Sequence, residues 1–209
     1  VLASYASSLA AINEMESSLG VICLDINYYK TEVTIIIDDQ LVFFDSSDVG
    51  LKYVNNDLQS ILNVSDEDSD KLRIKWSNDN SSKNLDESEI RIKQIISSRL
   101  EEIIELALKK LKISKYYDLA NSHVVLTGEG AKHADIIDLS TNIFKTKNIR
   151  IGSPQKIHGL KTIIENPSNS TCLGMLNYAL STEFQFNAKD ESDKKKSVLS
   201  MLYNFFKAI

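Results

Sequence analysis

Between Leu19 and Asp45 three apolar runs follow one another closely, GVICLDI, VTIII and LVFF, each rich in β-branched and aromatic residues and separated only by short polar breaks. That pattern predicts an antiparallel three-stranded meander. The period then changes. Val54, Leu58, Ile61 and Leu62 fall at helical spacing within Val49–Leu62, and Ser65 with Asp68 opens a second short helix. The polar stretch SNDNSSK, from Ser77 to Lys83, has loop composition. After it a long helix is predicted from about Ser88 to Lys112, with Ile92, Ile95, Ile96, Leu100, Ile103 and Ile104 on one side. HVVLTGEGAK reads as a buried strand, a Gly-bearing turn and the start of a helix reaching about Thr146. IRIGSP reads as an edge strand stopped by Pro154, and a last core helix follows Pro167 through Cys172, Met175, Leu176 and Tyr178. A meander followed by strand, helix and strand implies a mixed α/β domain with helices packed on a twisted sheet.

With 209 residues, 43% apolar and 25% charged, the chain can bury a core the size of one large domain or two small ones. A net charge of -5 excludes nucleic acid as a general partner, since neutralising phosphates needs a basic surface. Cys23 and Cys172 each lie in an apolar run and are expected to be buried thiols in a reducing compartment. His123, His133 and His158 have no spacing to cysteines or carboxylates that matches a metal or hydrolase motif. No signal peptide or membrane span is apparent, and a chain that begins with Val rather than Met reads as a fragment or a processed product.

Three stretches, ASSLAAI before the first strand, IRIGSPQKIHGL near the end and STCLGMLNYAL in the last core helix, occur in an order and spacing similar to the FtsA family of bacterial division proteins. The resemblance covers nearly the whole chain and implies subdomains 2A and 2B of an actin-like (ribonuclease H-like) ATPase fold over residues 1–180. A 2B insertion is expected at about 62–122, a linker at 181–196 and an amphipathic helix at 197–209. Subdomains 1A and 1C of that family, with the first phosphate loop, have no counterpart here. The resemblance also locates the nucleotide elements. A family turn of the Asp-Ile-Gly-Gly-Gly-Thr type, whose glycines let backbone amides approach phosphates, reads here Asp25-Ile26-Asn27-Tyr28-Tyr29-Lys30. Only Asp25 and Thr31 still match. Two tyrosines in that turn argue against ATP hydrolysis, leaving either a plain hairpin turn or a rebuilt site using Lys30. The second Gly-rich turn, Thr127-Gly128-Glu129-Gly130-Ala131, keeps Gly128 and Gly130 while Glu129 replaces a glycine. Asp70 and Arg73 match the segment that contacts ribose and base, and an amphipathic helix with solvated charges explains them equally well. ATP with magnesium is the cofactor such residues imply.

The same resemblance implies a groove for the C-terminal peptide of FtsZ, a tubulin-like protein, along the long helix, with Arg91, Lys93 and Arg99 as basic contacts. The competing reading is a solvated face balanced by Glu101, Glu102 and Glu105. In the tail, Val198, Leu199, Met201, Leu202, Phe205, Phe206 and Ile209 form one helical stripe, with Lys194, Lys195 and Lys196 before it. Such a segment lies flat on an anionic membrane surface. Each lysine there contributes about 1 kcal/mol and each fully buried large apolar side chain about 1.5–3 kcal/mol. The alternative is docking on this domain or a neighbour. Together these features imply a non-enzymatic adaptor that tethers FtsZ filaments to the cytoplasmic side of the inner membrane at the septum. Self-association and other division proteins are further partners it implies. A nucleotide-switched ATPase, a remnant that needs a separate N-terminal half, and a pilus-assembly actin homologue are the alternatives.

Overall fold

The computed structural model describes residues 1–77, 85–154 and 164–180. The elements are α1 (Ala3–Ala11), α2 (Glu14–Leu19), β1 (Val21–Ile26), β2 (Thr31–Ile37), β3 (Gln40–Ser47), α3 (Leu51–Leu62), α4 (Asp66–Ser77), α5 (Glu87–Leu111), α6 (Tyr117–Ala120), β4 (Val124–Thr127), α7 (Ile136–Phe144), β5 (Ile149–Ile151) and α8 (Ser170–Leu180). Single 3-10 turns occupy Gly130–Lys132 and Pro167–Asn169.

The three apolar runs form the expected meander. They make one side of a five-stranded sheet ordered β3-β2-β1-β4-β5, in which β1 pairs antiparallel with β2 and parallel with β4. The central strand β1 is buried along its whole length. Because successive side chains of a strand point to opposite faces, Ile22, Leu24 and Ile26 enter the core beneath α3, α5 and α7, while Val21 and Cys23 join Ala11, Ile12, Ile36 and Val125 on the other face. The run GVICLDI is therefore continuously apolar up to Asp25 because two helical layers cover it.

Helix α5 starts at a capping box: Asp86 accepts from the Glu89 backbone N–H at 2.8 Å, and Glu89 reaches back to the N–H of Asp86. Its buried stripe takes Ile96, Leu100, Ile103 and Ile104 from the expected period-3.6 face and continues through Ala107 and Leu111, while Ile92 and Ile95 are half-buried against it. Helix α4 buries Ser69, Arg73 and Trp76 instead of an apolar stripe. Ahead of β1, α1 buries Ala6, Ala10 and Ala11 with Ser4, Ser7 and Ser8, and packs on α8. That contact depends on Gly174, where a Cβ would run into the backbone of Ala6.

Two expectations are corrected. The helix expected to run from the Gly turn to about Thr146 is broken, because the Ala134 N–H donates to the Ser77 carbonyl at the end of α4 and the backbone at His133 is extended. The His133 ring accepts from the Asp135 N–H. Cys172 is exposed while Cys23 is buried, since α8 turns Ser170, Leu173 and Gly174 inward and leaves Cys172, Met175 and Leu176 on its outer side. Burial pushes the Cys23 thiol up to about 12, so it is inert at neutral pH.

The core stripe of α5 gives a direct test. Leu100→Ala should cost roughly 2–5 kcal/mol in urea unfolding, whereas Ile113→Ala, at a position 79% exposed, should stay within about 0.5 kcal/mol.

Candidate functional site

At the C-terminal ends of β1 and β4 four segments converge: the β1–β2 turn, α3, α4 and the turn after β4. Arg73 of α4 sits at their centre and is 4% exposed. Its Nε donates to Asn55 Oδ1 of α3 at 2.9 Å, Nη1 to Glu129 Oε1 of the β4 turn at 2.8 Å, and Nη2 to Asp70 Oδ1 at 2.6 Å. Asn55 in turn donates to Asp70 and to the Tyr28 hydroxyl, and the guanidinium lies 5.8 Å from the centre of the Tyr28 ring. Burial by itself disfavours the charged guanidinium, but the bonds to Asp70 and Glu129 outweigh it and hold Arg73 above its ordinary value. The bond from Arg73 likewise holds the Asp70 carboxyl below the usual range. A buried cation needs such partners, and here every one comes from the chain itself.

An open cleft of about 570 Å³ beside this network is lined by Tyr28, Asp66, Glu67, Asp70, Lys71, Arg73, Ile74 and Glu129. Deeper, Asp25 is 2% exposed; it accepts from Asn27 Nδ2 at 2.8 Å and from Thr171 Oγ1 at 3.2 Å. Burial raises its pKa, and bonds from Ser7, Asn27 and Thr171 oppose that rise. Gly128 adopts φ +82°, and a side chain there would collide with the Asp25 carboxylate and the Ile26 carbonyl. Gly130 packs on the Ile26 side chain. Both glycines thus serve close packing on the end of β1.

Of the six residues expected at a nucleotide site, Asp70 and Arg73 meet through a direct ion pair, and Asp25 and Gly128 lie against each other. Thr31 turns away and donates to the Val49 carbonyl. Lys30, the last residue of the β1–β2 turn, is paired with Glu32 of β2 at 2.8 Å. Tyr28 is half-buried against the core and Tyr29 is exposed, its ring edge-on to Tyr28 at 4.9 Å. The charges of α4 do not all face water, because Arg73 is among the buried residues. Asn55 is a site residue that the sequence pattern did not reveal, and neither did it reveal the pairing of Glu129 with Arg73, since the 56 positions between them left no local signal.

A second arrangement lies on the outer face of α3 and α5. Arg91 and Arg99, eight residues apart on α5, both line a groove of about 290 Å³ with Asp57 and Ile61 of α3 and Gln94, Ile95, Ser98 and Glu102 of α5. Arg99 grips Asp57 with two bonds, Nε to Oδ2 at 2.6 Å and Nη2 to Oδ1 at 3.0 Å, and also reaches Glu102. Lys93 faces elsewhere, with its ammonium 5.1 Å from the centre of the Trp76 ring. Lysines 194–196 and the amphipathic segment 197–209 lie outside the described residues, as do His158 and most of the IGSPQKIHGL stretch. Among the described residues no helix is long and apolar enough to cross a membrane, and no cluster of three or more His, Cys, Asp or Glu stands ready for a metal ion.

A mixed five-stranded sheet with helices on both faces and a polar cleft at its carboxyl ends defines part of an actin-like fold. Solved structures agree: MreB5 of Spiroplasma citri bound to ADP matches with a TM-score of 0.65 at 16% identity, over 85% of this chain and 58% of that one. A PilM–PilN type IV pilus biogenesis complex matches with a TM-score of 0.66 at 15% identity, over 85% and 51%. The family described as Cell division protein FtsA matches residues 22–174, and the chain belongs to that family. Relatives include the Cell division protein FtsA of Buchnera aphidicola subsp. Acyrthosiphon pisum, 28% identical over 100% of this chain and 54% of its own length. That of Borreliella burgdorferi is 26% identical over 99% and 54%, and that of Pseudomonas aeruginosa 25% identical over 86% and 47%. The chain spans about half the length of the curated relatives it matches.

Two substitutions test the cleft. Arg73→Gln leaves two carboxylates facing each other and should cost on the order of 3 kcal/mol, more than Glu129→Gln, in thermal or urea unfolding. Asp25 has a raised pKa, so its contribution is complete below the unfolded carboxylate value and is lost as pH rises through the folded one. Asp25→Asn should therefore flatten the decline of melting temperature between the unfolded and the folded carboxylate values and leave stability at pH 8 equal or higher. A large drop at pH 8 would show that the ionised carboxylate is required.

Proposed function

We propose that this chain acts as an adaptor in bacterial cell division. The α3–α5 groove takes the acidic C-terminal peptide of FtsZ, and the amphipathic segment 197–209, with Lys194, Lys195 and Lys196 before it, binds the cytoplasmic side of the inner membrane at the division site. The observation that carries the reading is the convergence of Arg91 and Arg99 on one groove beside the apolar side chains of Ile61 and Ile95. Guanidinium groups hold carboxylates bidentately, and apolar neighbours shield such pairs from water, which suits a short acidic peptide. Membership of the division family supports the cellular setting. The tail contributes a helical apolar stripe with lysines before it, a pattern suited to the membrane interface.

The adaptor works without ATP hydrolysis. Supporting this, the Arg73 guanidinium is already neutralised by Asp70 and Glu129, and Tyr28 stands in the turn that would have to approach phosphates. The second reading, a nucleotide-switched ATPase, draws on the likeness to MreB5 solved with ADP and on the open cleft beside Arg73.

Two measurements separate these readings. FtsZ should co-sediment with anionic vesicles only when this chain is present and only if FtsZ keeps its C-terminal peptide; recruitment of FtsZ lacking that peptide removes the groove from the account. ATP with magnesium should leave the melting temperature unchanged, and a rise that scales with ligand concentration favours the switch.

A further inference from the structure

We propose that Asp57 is an internal stand-in for the ligand of the α3–α5 groove, so that an acidic segment binds only by displacing the Asp57 carboxylate from Arg99. This rests on the reading that the groove receives a carboxylate-bearing peptide, and it adds the residue that sets affinity and selectivity.

Arg99 projects from α5 and Asp57 from α3, so their pair crosses from one wall of the groove to the other. The geometry is the two-bond fork that a guanidinium offers any carboxylate, through Nε and Nη2 at 2.6 and 3.0 Å. A second carboxylate cannot use the same two donors. Glu102 takes a bond from Nη1, so three donor atoms of Arg99 are engaged within the chain. Side-chain exposures of 23% for Arg99 and 26% for Asp57 put the pair at the water boundary. There it is shielded enough to matter and open enough for a solvent-borne carboxylate to reach.

The remaining contacts make exchange feasible. The Arg99 guanidinium lies 5.9 Å from the centre of the Tyr53 ring, a cation–π contact that favours its present place when Asp57 swings away. Arg91, on the same groove, has no hydrogen-bond or ion-pair partner among the described residues and supplies the first contact for an arriving negative charge. As it stands the groove balances Arg91 and Arg99 against Asp57 and Glu102. Displacing Asp57 frees one positive fork. A ligand with a single weak acceptor cannot repay the loss of that fork, whereas two neighbouring carboxylates can engage Arg91 and Arg99 together.

The test uses the full chain and the fluorescently labelled acidic C-terminal peptide of the proposed partner, with a control peptide whose Asp and Glu are replaced by Asn and Gln. Affinity is read by anisotropy at low and moderate salt. Asp57→Asn and Asp57→Ser should each tighten the acidic peptide on the order of tenfold, the effect of removing one nearby competing charge at the surface, and leave the control peptide unchanged. Arg99→Gln, alone or with Asp57→Asn, should bind weakly and erase the gain. Wild-type binding that weakens with Arg99→Gln but does not tighten with either Asp57 variant overturns the gate while docking stands. No binding by any variant, or binding indifferent to Arg91→Gln and Arg99→Gln, overturns docking at this groove and the gate with it. Two Asp57 variants, each checked by circular dichroism, guard against one that misfolds.

Discussion

Every side chain of β1 is out of water, and most of the architecture follows from the need to cover both faces of that strand. Covering one face calls for the long stripe of α5 with α3 and α7, and covering the other calls for the small-residue helix α1 braced by α8. The strand carries Asp25 to its end, where the coverage runs out and polar groups must satisfy one another. The turns after β1 and β4 meet at that end, as parallel neighbouring strands require, and there the chain concentrates its buried hydroxyls, carboxylates and the Arg73 guanidinium.

Two polar arrangements result, and they differ in kind. The one around Arg73 is buried, draws on three elements besides its own and leaves no unpaired charge in it. It behaves as a structural rivet through which α4 is held to the sheet despite burying few apolar side chains. The arrangement around Arg99 is half open and pairs two helices, with Arg91, unpaired among the described residues, alongside. Energy invested in the first is recovered only by folding. The second can be exchanged with something outside the chain.

Local pattern made the meander, the α5 stripe and the Ser65 cap of α4 legible, because strand period, helical period and a Ser cap each act within a few residues. What escaped was non-local. Helix α1 is mostly alanine and serine, and Tyr5 and Leu9 alone do not announce an amphipathic face. The break at His133 depends on an N–H captured by Ser77, far back in the chain. The outward turn of Cys172 depends on which side of α8 Gly174 offers to α1. Both arginines that matter were visible from the sequence, but their carboxylate partners were not: Glu129 and Asp57 stand 56 and 42 positions from the arginines they neutralise. Lys93, two residues from Arg91, is carried by helical rotation to a different face.

That different face holds the chain's single tryptophan. Trp76 is 2% exposed and lies on α4 between the ammonium groups of Lys75, 4.5 Å from the ring centre, and Lys93 of α5, 5.1 Å away. Its helix carries Arg73 toward the cleft, and the helix of Lys93 carries Arg91 and Arg99 toward the groove. The indole is thus a native optical gauge at the joint between the two regions. Its emission colour and its quenching by the flanking ammonium groups depend on how closely α4 and α5 sit. Ligand at either place can be followed there without attaching a dye, and cross-talk between cleft and groove becomes a spectroscopic quantity.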